Sequence, residues 1–144
     1  KKIMYFGIVG IGAFKLIWDN NEMDSIQELI DKGQKLPIHN GKDRPYTVVG
    51  SRSHMSTETE DYIETLKKEN GEIEIVSMGS SLKICLVAEG SADVYPRFAP
   101  TMEWDTAAGQ AIVEAAGKEV VNKSTMLKMP YNKENLLNDW FIVR

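Results

Sequence analysis

The chain has 144 residues, which is long enough for one domain with a sizeable hydrophobic core. Hydrophobic residues make up 42% of it and charged residues 26%, proportions that are ordinary for a soluble globular protein. Its 17 basic and 21 acidic residues give a net charge of −4, so no basic excess points to a nucleic acid polymer as partner. A protein of this charge that binds a polyanion must gather its few cations locally or use metal ions.

Cysteine content and hydropathy bear on where the protein works. Cys85 is the only cysteine, which excludes a disulfide within the chain and favours a reducing compartment. It lies in an apolar run, so we expect a buried thiol rather than a nucleophile. The apolar stretch 3–11 is too short to span a bilayer. We therefore expect a cytoplasmic protein without a transmembrane segment, with a peripheral position at the inner membrane as the alternative.

The N-terminal part of the chain predicts a hairpin and then a helix. Residues 4–16 are rich in β-forming side chains around Gly10 and Gly12, which predicts two short strands. The hairpin has no evident partner later in the chain, so we expect its edge to be exposed. Apolar residues at helical spacing predict a helix within 22–34, and a polar loop follows over 35–44.

From residue 46 onward, short strands alternate with helices. Strands are predicted at 46–50, 71–76, 91–97, 118–121 and 140–143, and helices at 58–68, 82–89 and 106–116. Ser56 or Thr57 is suited to cap the first of these helices. This alternation predicts an α/β fold in which a mixed sheet is flanked by helices.

Asp105 lies at a predicted strand-to-helix junction, near the N-cap of the last helix. The residues that follow it, Thr106-Ala107-Ala108-Gly109, are too small to obstruct a ligand. A carboxylate at such a position could cap the helix. It could equally turn outward and bind a hard cation, beside an anion held at the helix N-terminus. The position alone leaves both interpretations open.

A polar loop follows the predicted strand 46–50 at its C-terminal end. This loop contains Ser51, Ser53 and His54. Loops beyond the carboxyl ends of strands are where α/β folds favour ligands. The same residues are equally typical of a solvated loop that leads into a capped helix. From the residues alone, the two interpretations have about even weight.

Two more places offer groups that bind phosphate. Gly79 and Ser80 precede the predicted helix 82–89, where backbone N–H groups and the helix dipole can hold an anion. Lys83 lies in the first turn of that helix, and Arg97 ends the following strand. Arginine offers a planar fork of donors that is suited to bidentate phosphate binding. Each signal is weak by itself, because capped turns and solvated cations are common.

Six consecutive residues carry a specific resemblance. Trp104-Asp105-Thr106-Ala107-Ala108-Gly109 resembles the second signature of the inositol monophosphatase family, whose members are Mg²⁺-dependent, lithium-sensitive phosphatases. Together with other stretches it looks like the 3'(2'),5'-bisphosphate nucleotidase branch, and the match covers nearly the whole chain. The other stretches are Ser51-Arg52-Ser53-His54, Gly79-Ser80-Ser81-Leu82-Lys83, Val87-Ala88-Glu89-Gly90, Tyr95-Pro96-Arg97-Phe98 and residues 131–138.

The resemblance implies a fold, a reaction and a set of roles. The implied fold is the C-terminal half of a layered αβαβα sandwich, with residues 1–20 as a hairpin of the N-terminal sheet and 21–144 as an α/β subdomain. The implied reaction removes one phosphate from 3'-phosphoadenosine 5'-phosphate to give AMP, with Mg²⁺, as a step of sulfur assimilation. Asp105 would be a catalytic residue and a metal ligand. Substrate contacts are implied for Ser51, Ser53, His54, Gly79, Ser80, Lys83 and Arg97.

One part of the family pattern does not occur in these residues. The first signature, Asp-Pro-Leu/Ile-Asp-Gly-Thr, and the acidic pair before it supply most of the metal ligands in the family. We therefore expect this chain to be the C-terminal part of a longer enzyme and to be inactive alone. Its expected partners are a small nucleotide bisphosphate, the N-terminal half of the same protein and, as a possibility, a second copy in a homodimer.

Two alternatives stay open at this point. The protein could be an inositol phosphate or fructose bisphosphate phosphatase of the same family, although Lys83 and Arg97 favour a bisphosphate nucleotide. The chain could also be a non-catalytic piece that binds a nucleotide or takes part in assembly, since it lacks the first signature.

Overall fold

A computed structural model of the chain describes residues 2–18, 25–39, 44–50 and 55–144. The predicted hairpin is confirmed: strand β1 (Lys2–Ile8) pairs antiparallel with strand β2 (Gly12–Trp18). Gly10 in the turn has a φ of 77°, a left-handed conformation that glycine adopts without steric cost.

The expectation that the hairpin lacks a later partner is wrong. Strand β3 (Gln34–Lys35) pairs antiparallel with β2, where Lys35 faces Phe14. The sequence does not reveal this strand because two polar residues carry no strand periodicity. The division of the chain at residue 20 stays a prediction, and the β2–β3 pairing crosses it.

Helix α1 (Ile26–Lys32) is shorter than the predicted helix within 22–34. Ser25 is its N-cap, and the Ser25 hydroxyl accepts a hydrogen bond from the Glu28 N–H. Capping of this kind satisfies a backbone donor that has no partner inside the helix. The helix then ends at Gly33, and β3 follows directly.

Residues 46–76 have the β-α-β order that the sequence predicts. Strand β4 (Tyr46–Val49) and strand β5 (Ile73–Val76) run parallel, and helix α2 (Thr57–Asn70) connects them. Ser56 caps α2, as expected, by accepting a hydrogen bond from Thr59. Helix α2 buries Ile63 and Leu66, which gives it an apolar face toward the sheet.

The C-terminal part of the chain contributes two helices and a three-stranded antiparallel sheet. Strand β8 (Phe141–Val143) lies at the centre of that sheet, between β6 (Tyr95–Arg97) and β7 (Val120–Asn122). Helix α3 begins and ends where the sequence predicts. The elements are α3 (Leu82–Glu89), β6 (Tyr95–Arg97), α4 (Glu103–Ala115), β7 (Val120–Asn122) and β8 (Phe141–Val143).

The strand predicted over 91–97 is shorter than expected, because pairing with β8 begins only at Tyr95. Val94 instead forms a parallel bridge with Val48 of β4. The Val49 N–H donates to the Val94 carbonyl at 2.8 Å, so this bridge joins the β4–β5 pair to the antiparallel sheet. The result is a mixed sheet flanked by helices, which confirms the predicted α/β fold.

Two apolar clusters fill the interior. The larger one includes Ile84 of α3, Val113 of α4 and Phe141 of β8. The smaller one lies under α2 and contains Ile63, Val94 and other side chains of the sheet. Helices α3 and α4 meet at Gly109, where an added Cβ would come within 3.0 Å of the Ile84 side chain. In the part of the chain that is described, no helix is long and apolar enough to cross a membrane.

Candidate active site

A groove of about 520 Å³ opens between the start of α3, the end of β6 and the start of α4. Four of the residues singled out in the sequence line it: Ser80, Lys83, Arg97 and Asp105. They come from three separate elements, and the fold brings them to one surface. The groove is also lined by Ser81, Ile84, Tyr95, Pro100, Thr101, Trp104, Thr106 and Phe141.

Two cations, Lys83 and Arg97, lie near Tyr95 in this groove. The Lys83 Nζ lies 5.6 Å from the centre of the ring, a cation–π distance. Burial, and then the nearby Arg97 guanidinium, lower the pKa of the Lys83 ammonium from its usual value. A bound anion would counter that repulsion, so the pair of charges favours an anionic ligand.

One hydrogen-bond donor of the Arg97 guanidinium has a partner and another has none within the described part of the chain. Its Nη2 donates to the Pro100 carbonyl at 3.2 Å. Its Nε is buried and has no hydrogen-bond partner within the described part of the chain. A buried donor without a partner is costly, and at a ligand site it commonly receives an acceptor from the ligand.

The turn before α3 has an uncommon backbone conformation and leaves open space beside the helix start. Ser80 has a φ of 57°, which is uncommon for a residue other than glycine. Ser81 occupies the N-cap but makes no capping hydrogen bond with its side chain. A Cβ on Gly79 would meet no atom within 4 Å, so Gly79 leaves open space beside Ser80.

Asp105 does not occupy the N-cap that the sequence predicts. Helix α4 begins three residues earlier than predicted, at Glu103, so Met102 is the N-cap and Asp105 is the third helical residue. The physical reason is a contact from the end of the chain: the Glu103 N–H donates to the Leu136 carbonyl at 3.0 Å, which satisfies a donor at the helix start. The Met102 N–H donates to the Asp105 Oδ2 at 2.8 Å, and this bond holds the carboxylate in one orientation at the groove.

The carboxylate of Glu103 lies two residues before Asp105 and is paired. Its Oε1 lies 2.5 Å from the Lys133 Nζ, and its Oε2 accepts from the Asn132 N–H at 2.6 Å. The Lys133 hydrogen bond is the main cause that lowers the pKa of Glu103, and the two backbone N–H groups of Asn132 and Lys133 add to it. Glu103 is therefore a charged anchor between α4 and residues 129–138, which we name the closing segment.

Several residues of the groove were not singled out in the sequence. Tyr95, Thr101, Trp104 and Thr106 line it, and Trp104 leaves 67% of its surface exposed. Trp104 and Thr106 lie within the six-residue signature, so the motif itself was the available signal. Tyr95 lies within Tyr95-Pro96-Arg97-Phe98, another stretch of the family resemblance, although its strand position by itself predicts packing only. The predicted substrate residues Ser51, Ser53 and His54 lie outside the described residues.

A metal site needs more than the described residues supply. Mg²⁺ prefers near-octahedral coordination by oxygen atoms, and Asp105 can provide one carboxylate at the groove. The described residues contain no group of three or more His, Cys, Asp or Glu side chains that could hold a metal ion. These residues therefore do not form a complete metal site by themselves.

Comparison with known proteins identifies the family of this chain. The sequence matches the inositol monophosphatase family over residues 4–138. The chain belongs to the inositol monophosphatase family. Among curated proteins, it is 49% identical over 137 residues to the 3'(2'),5'-bisphosphate nucleotidase CysQ of Salmonella typhimurium, a match that covers 95% of this chain and 53% of that protein. The CysQ of Escherichia coli K12 is 56% identical over 77 residues, covering 54% of this chain and 30% of that protein.

Solved structures of the family share the fold. The crystal structure of CysQ from Bacteroides thetaiotaomicron matches with a TM-score of 0.89 and 52% identity, over 100% of this chain and 54% of that chain. Staphylococcal IMPase-II matches with a TM-score of 0.64 at 18% identity, over 98% of this chain and 48% of that one, which concerns the fold alone. The chain spans about half the length of the first of these relatives in each comparison.

Proposed function

We propose that the complete protein is a 3'(2'),5'-bisphosphate nucleotidase that removes one phosphate from 3'-phosphoadenosine 5'-phosphate and leaves AMP. The observation that carries the proposal is the groove that gathers Lys83, Arg97 and Asp105. The names of the CysQ relatives support the same substrate class. We propose sulfur assimilation in the cytoplasm as the setting of this reaction.

The two cations and the carboxylate would act on different parts of the substrate. Lys83 and the Arg97 guanidinium would bind phosphate oxygens, with the hydroxyl of Ser80 beside them. Binding of a phosphate that does not react orients the one that does, which lowers the entropic part of the barrier. Asp105, held by the Met102 N–H, would present its carboxylate at the reacting end. Gly79, Ser51, Ser53 and His54 stay proposed substrate contacts.

We propose Mg²⁺ as the metal of the complete protein, with Asp105 as one of its ligands, and we propose inhibition by Li⁺. Since the described residues supply one carboxylate at the groove, the 144 residues alone should bind Mg²⁺ weakly and release little phosphate. A homodimer is a further proposal, which sedimentation of the complete protein would test.

The test is phosphate release by the complete protein from four substrates: 3'-phosphoadenosine 5'-phosphate, AMP, inositol 1-phosphate and fructose 1,6-bisphosphate. We expect the highest kcat/KM for the bisphosphate nucleotide, loss of activity with EDTA, and inhibition by Li⁺. A preference for inositol 1-phosphate or fructose 1,6-bisphosphate would favour the other phosphatases of the family. No release from any of the four would favour a non-catalytic nucleotide-binding protein.

The variant Arg97→Met tests whether Arg97 binds the substrate. It removes a guanidinium but keeps a long side chain at the end of β6. We expect the KM for the bisphosphate to rise by about tenfold or more, since charge-assisted hydrogen bonds to phosphate are among the stronger ones. A variant whose KM is unchanged would remove Arg97 from the substrate site.

A further inference from the structure

The closing segment contacts the start of α4 with charged and neutral groups. Its charged contact is the pair formed by Lys133 and Glu103, whose side chains leave only 25% and 10% of their surface exposed. The backbone N–H groups of Asn132 and Lys133 donate to the same carboxylate at 2.6 and 3.2 Å. Glu103 is thus a nearly buried charge that receives three hydrogen bonds from one short stretch of chain.

Neutral contacts continue the same interface along α4. The Tyr131 hydroxyl donates to Thr106 Oγ1 and lies 3.0 Å from both this oxygen and Gln110 Oε1. The Asn138 Nδ2 donates to Thr106 Oγ1 at 3.0 Å and lies 3.2 Å from Thr101 Oγ1. Thr101 and Thr106 line the groove, so these contacts reach its wall directly.

The start of α4 makes several contacts with the closing segment. Its N-cap is Met102, whose side chain makes no capping hydrogen bond. The closing segment supplies the missing acceptor through the Leu136 carbonyl, and Leu137 forms a bridge with Met102. The orientation of the Asp105 carboxylate follows from this turn, because its Oδ2 accepts from the Met102 N–H.

We propose that Glu103 and Lys133 are positioning residues, which hold the first turn of α4 so that Asp105 presents its carboxylate at the groove. The inference rests on the proposed function, since Asp105 needs a fixed orientation only if it takes part in a reaction. Glu103 is not among the residues that line the groove in the described part of the chain, so it acts through Asp105 and the turn. A displacement of about 1 Å at a reacting group can lower a rate by a factor of the order of 10².

The chain offers a control for this ion pair, on the same helix but more exposed to solvent. Lys128 pairs with Glu114 at 2.7 Å, and this pair also joins α4 to the residues just before the closing segment. Glu114 lies 9 positions further along α4 than Asp105, or about 13 Å at the helical rise of about 1.5 Å per residue. Lys128→Met therefore removes an ion pair from the same helix without touching its first turn.

The experiment compares Lys133→Met, Lys133→Arg and Lys128→Met in the complete protein. We measure kcat and KM for 3'-phosphoadenosine 5'-phosphate, the melting temperature, and amide hydrogen exchange at residues 103 and 132. We expect Lys133→Met to lower kcat by about tenfold or more while KM changes less than about threefold, since binding by Lys83 and Arg97 is untouched. Exchange at residues 103 and 132 should become faster. Lys133→Arg should restore kcat to within about threefold, and Lys128→Met should leave kcat and exchange unchanged.

Three other outcomes would contradict the proposed function or the positioning role of Glu103 and Lys133. A wild-type protein that releases no phosphate would overturn the proposed function, and this inference with it. An active wild-type protein whose Lys133→Met variant keeps its kcat, although exchange becomes faster, would overturn the inference alone. Equal losses of kcat in Lys133→Met and Lys128→Met would also overturn it, because the effect would then be one of general stability.

Discussion

At the scale of single residues, Asp105 makes a hydrogen bond at a helix start and is also the proposed catalytic residue. One carboxylate oxygen accepts from the Met102 N–H at the start of α4, and the residue also lines the groove. The helix-capping bond needs an oxygen acceptor on this side chain, whereas the proposed catalytic role needs its negative charge. Substitutions that keep the hydrogen bond but remove the charge can distinguish between them.

Asp105→Asn keeps an oxygen acceptor for the Met102 N–H and loses the negative charge. We expect the melting temperature to change little and kcat to fall by about 10² or more in the complete protein, as is usual when a charged group at a reacting centre is lost. Asp105→Ala should lose the same activity and, in addition, about 0.5–2 kcal/mol of stability, because the capping bond is gone. Melting curves and kcat of both variants check this. Retained activity in Asp105→Asn would leave the residue as a helix cap only.

Cys85 is a buried thiol in α3 and leaves 7% of its surface exposed. Burial, and then the charge of Glu89, raise the pKa of this thiol to about 11. Since the thiolate is the reactive form, we expect little alkylation by iodoacetamide at pH 8 in the folded protein and rapid alkylation in urea. Intact mass after timed labelling measures both rates. Fast labelling of the folded protein would mean that α3 opens readily.

At the scale of elements, the ends of helices α3 and α4 form hydrogen bonds with residues that are distant along the chain. Helix α3 ends at Gly90, which has a φ of 82° and lies against the backbone of His39. The N–H groups of Ile38 and His39 both donate to the Glu89 carbonyl. The end of α3 is thereby tied to the stretch of chain that follows β3, and space beside Gly90 is very limited.

Gly90→Ala should destabilise the protein far more than Gly117→Ala. Both glycines have a positive φ, of 82° and 79°, so both substitutions cost about 1–2 kcal/mol of left-handed strain. A Cβ at Gly90 would also come within 2.0 Å of the His39 carbonyl oxygen, whereas one at Gly117 would meet nothing within 4 Å. We expect a further loss of about 1–3 kcal/mol at Gly90, as in overpacked sites. Urea unfolding of the two variants measures the difference, and equal losses would contradict the close contact.

At the scale of the whole molecule, a buried charge cluster joins the N-terminal hairpin to α3. The Glu89 carboxylate, which is 5% exposed, receives the Lys15 ammonium at 2.6 Å and the Tyr5 hydroxyl at 2.8 Å. The Ser91 hydroxyl donates to its other oxygen at 2.5 Å. Residues 84 positions apart in the chain therefore meet at one carboxylate.

This cluster predicts how stability responds to acid. Burial by itself raises the pKa of Glu89, but the hydrogen bonds from Lys15, Ser91 and Tyr5 together outweigh it, so the pKa lies below its usual value. A carboxyl with a lowered pKa in the folded state stabilises the protein fully above the unfolded value of about 4.3, and this contribution is lost as the pH falls through the folded pKa. We expect the free energy of unfolding to fall below about pH 4.3 in the wild type, and to fall less in Glu89→Gln. Urea unfolding at a series of pH values measures this, and parallel curves would exclude Glu89 as a source.

The sequence predicted much of the local structure because local structure has local causes. The apolar spacing in α3, the Ser56 cap of α2 and the β-branched run of β4 were each visible in fewer than about fifteen consecutive residues. The six-residue signature around Asp105 likewise identified the family. The start of α4 was placed three residues too late, because the Leu136 carbonyl that satisfies the Glu103 N–H is 33 positions away and leaves no local pattern.

By itself, the sequence determined the element types, the α/β class and the family, since periodicity, caps and a signature motif are properties of neighbouring residues. The family resemblance implied one substrate site for Lys83, Arg97 and Asp105, and the tertiary structure supplied the groove that they line. The tertiary structure alone decided that β3 pairs with the hairpin and that the closing segment contacts the start of α4. These arrangements depend on hydrogen bonds, burial and charge pairs between residues that are distant along the chain. Such contacts form only when the packed core brings the elements together, so no local pattern encodes them.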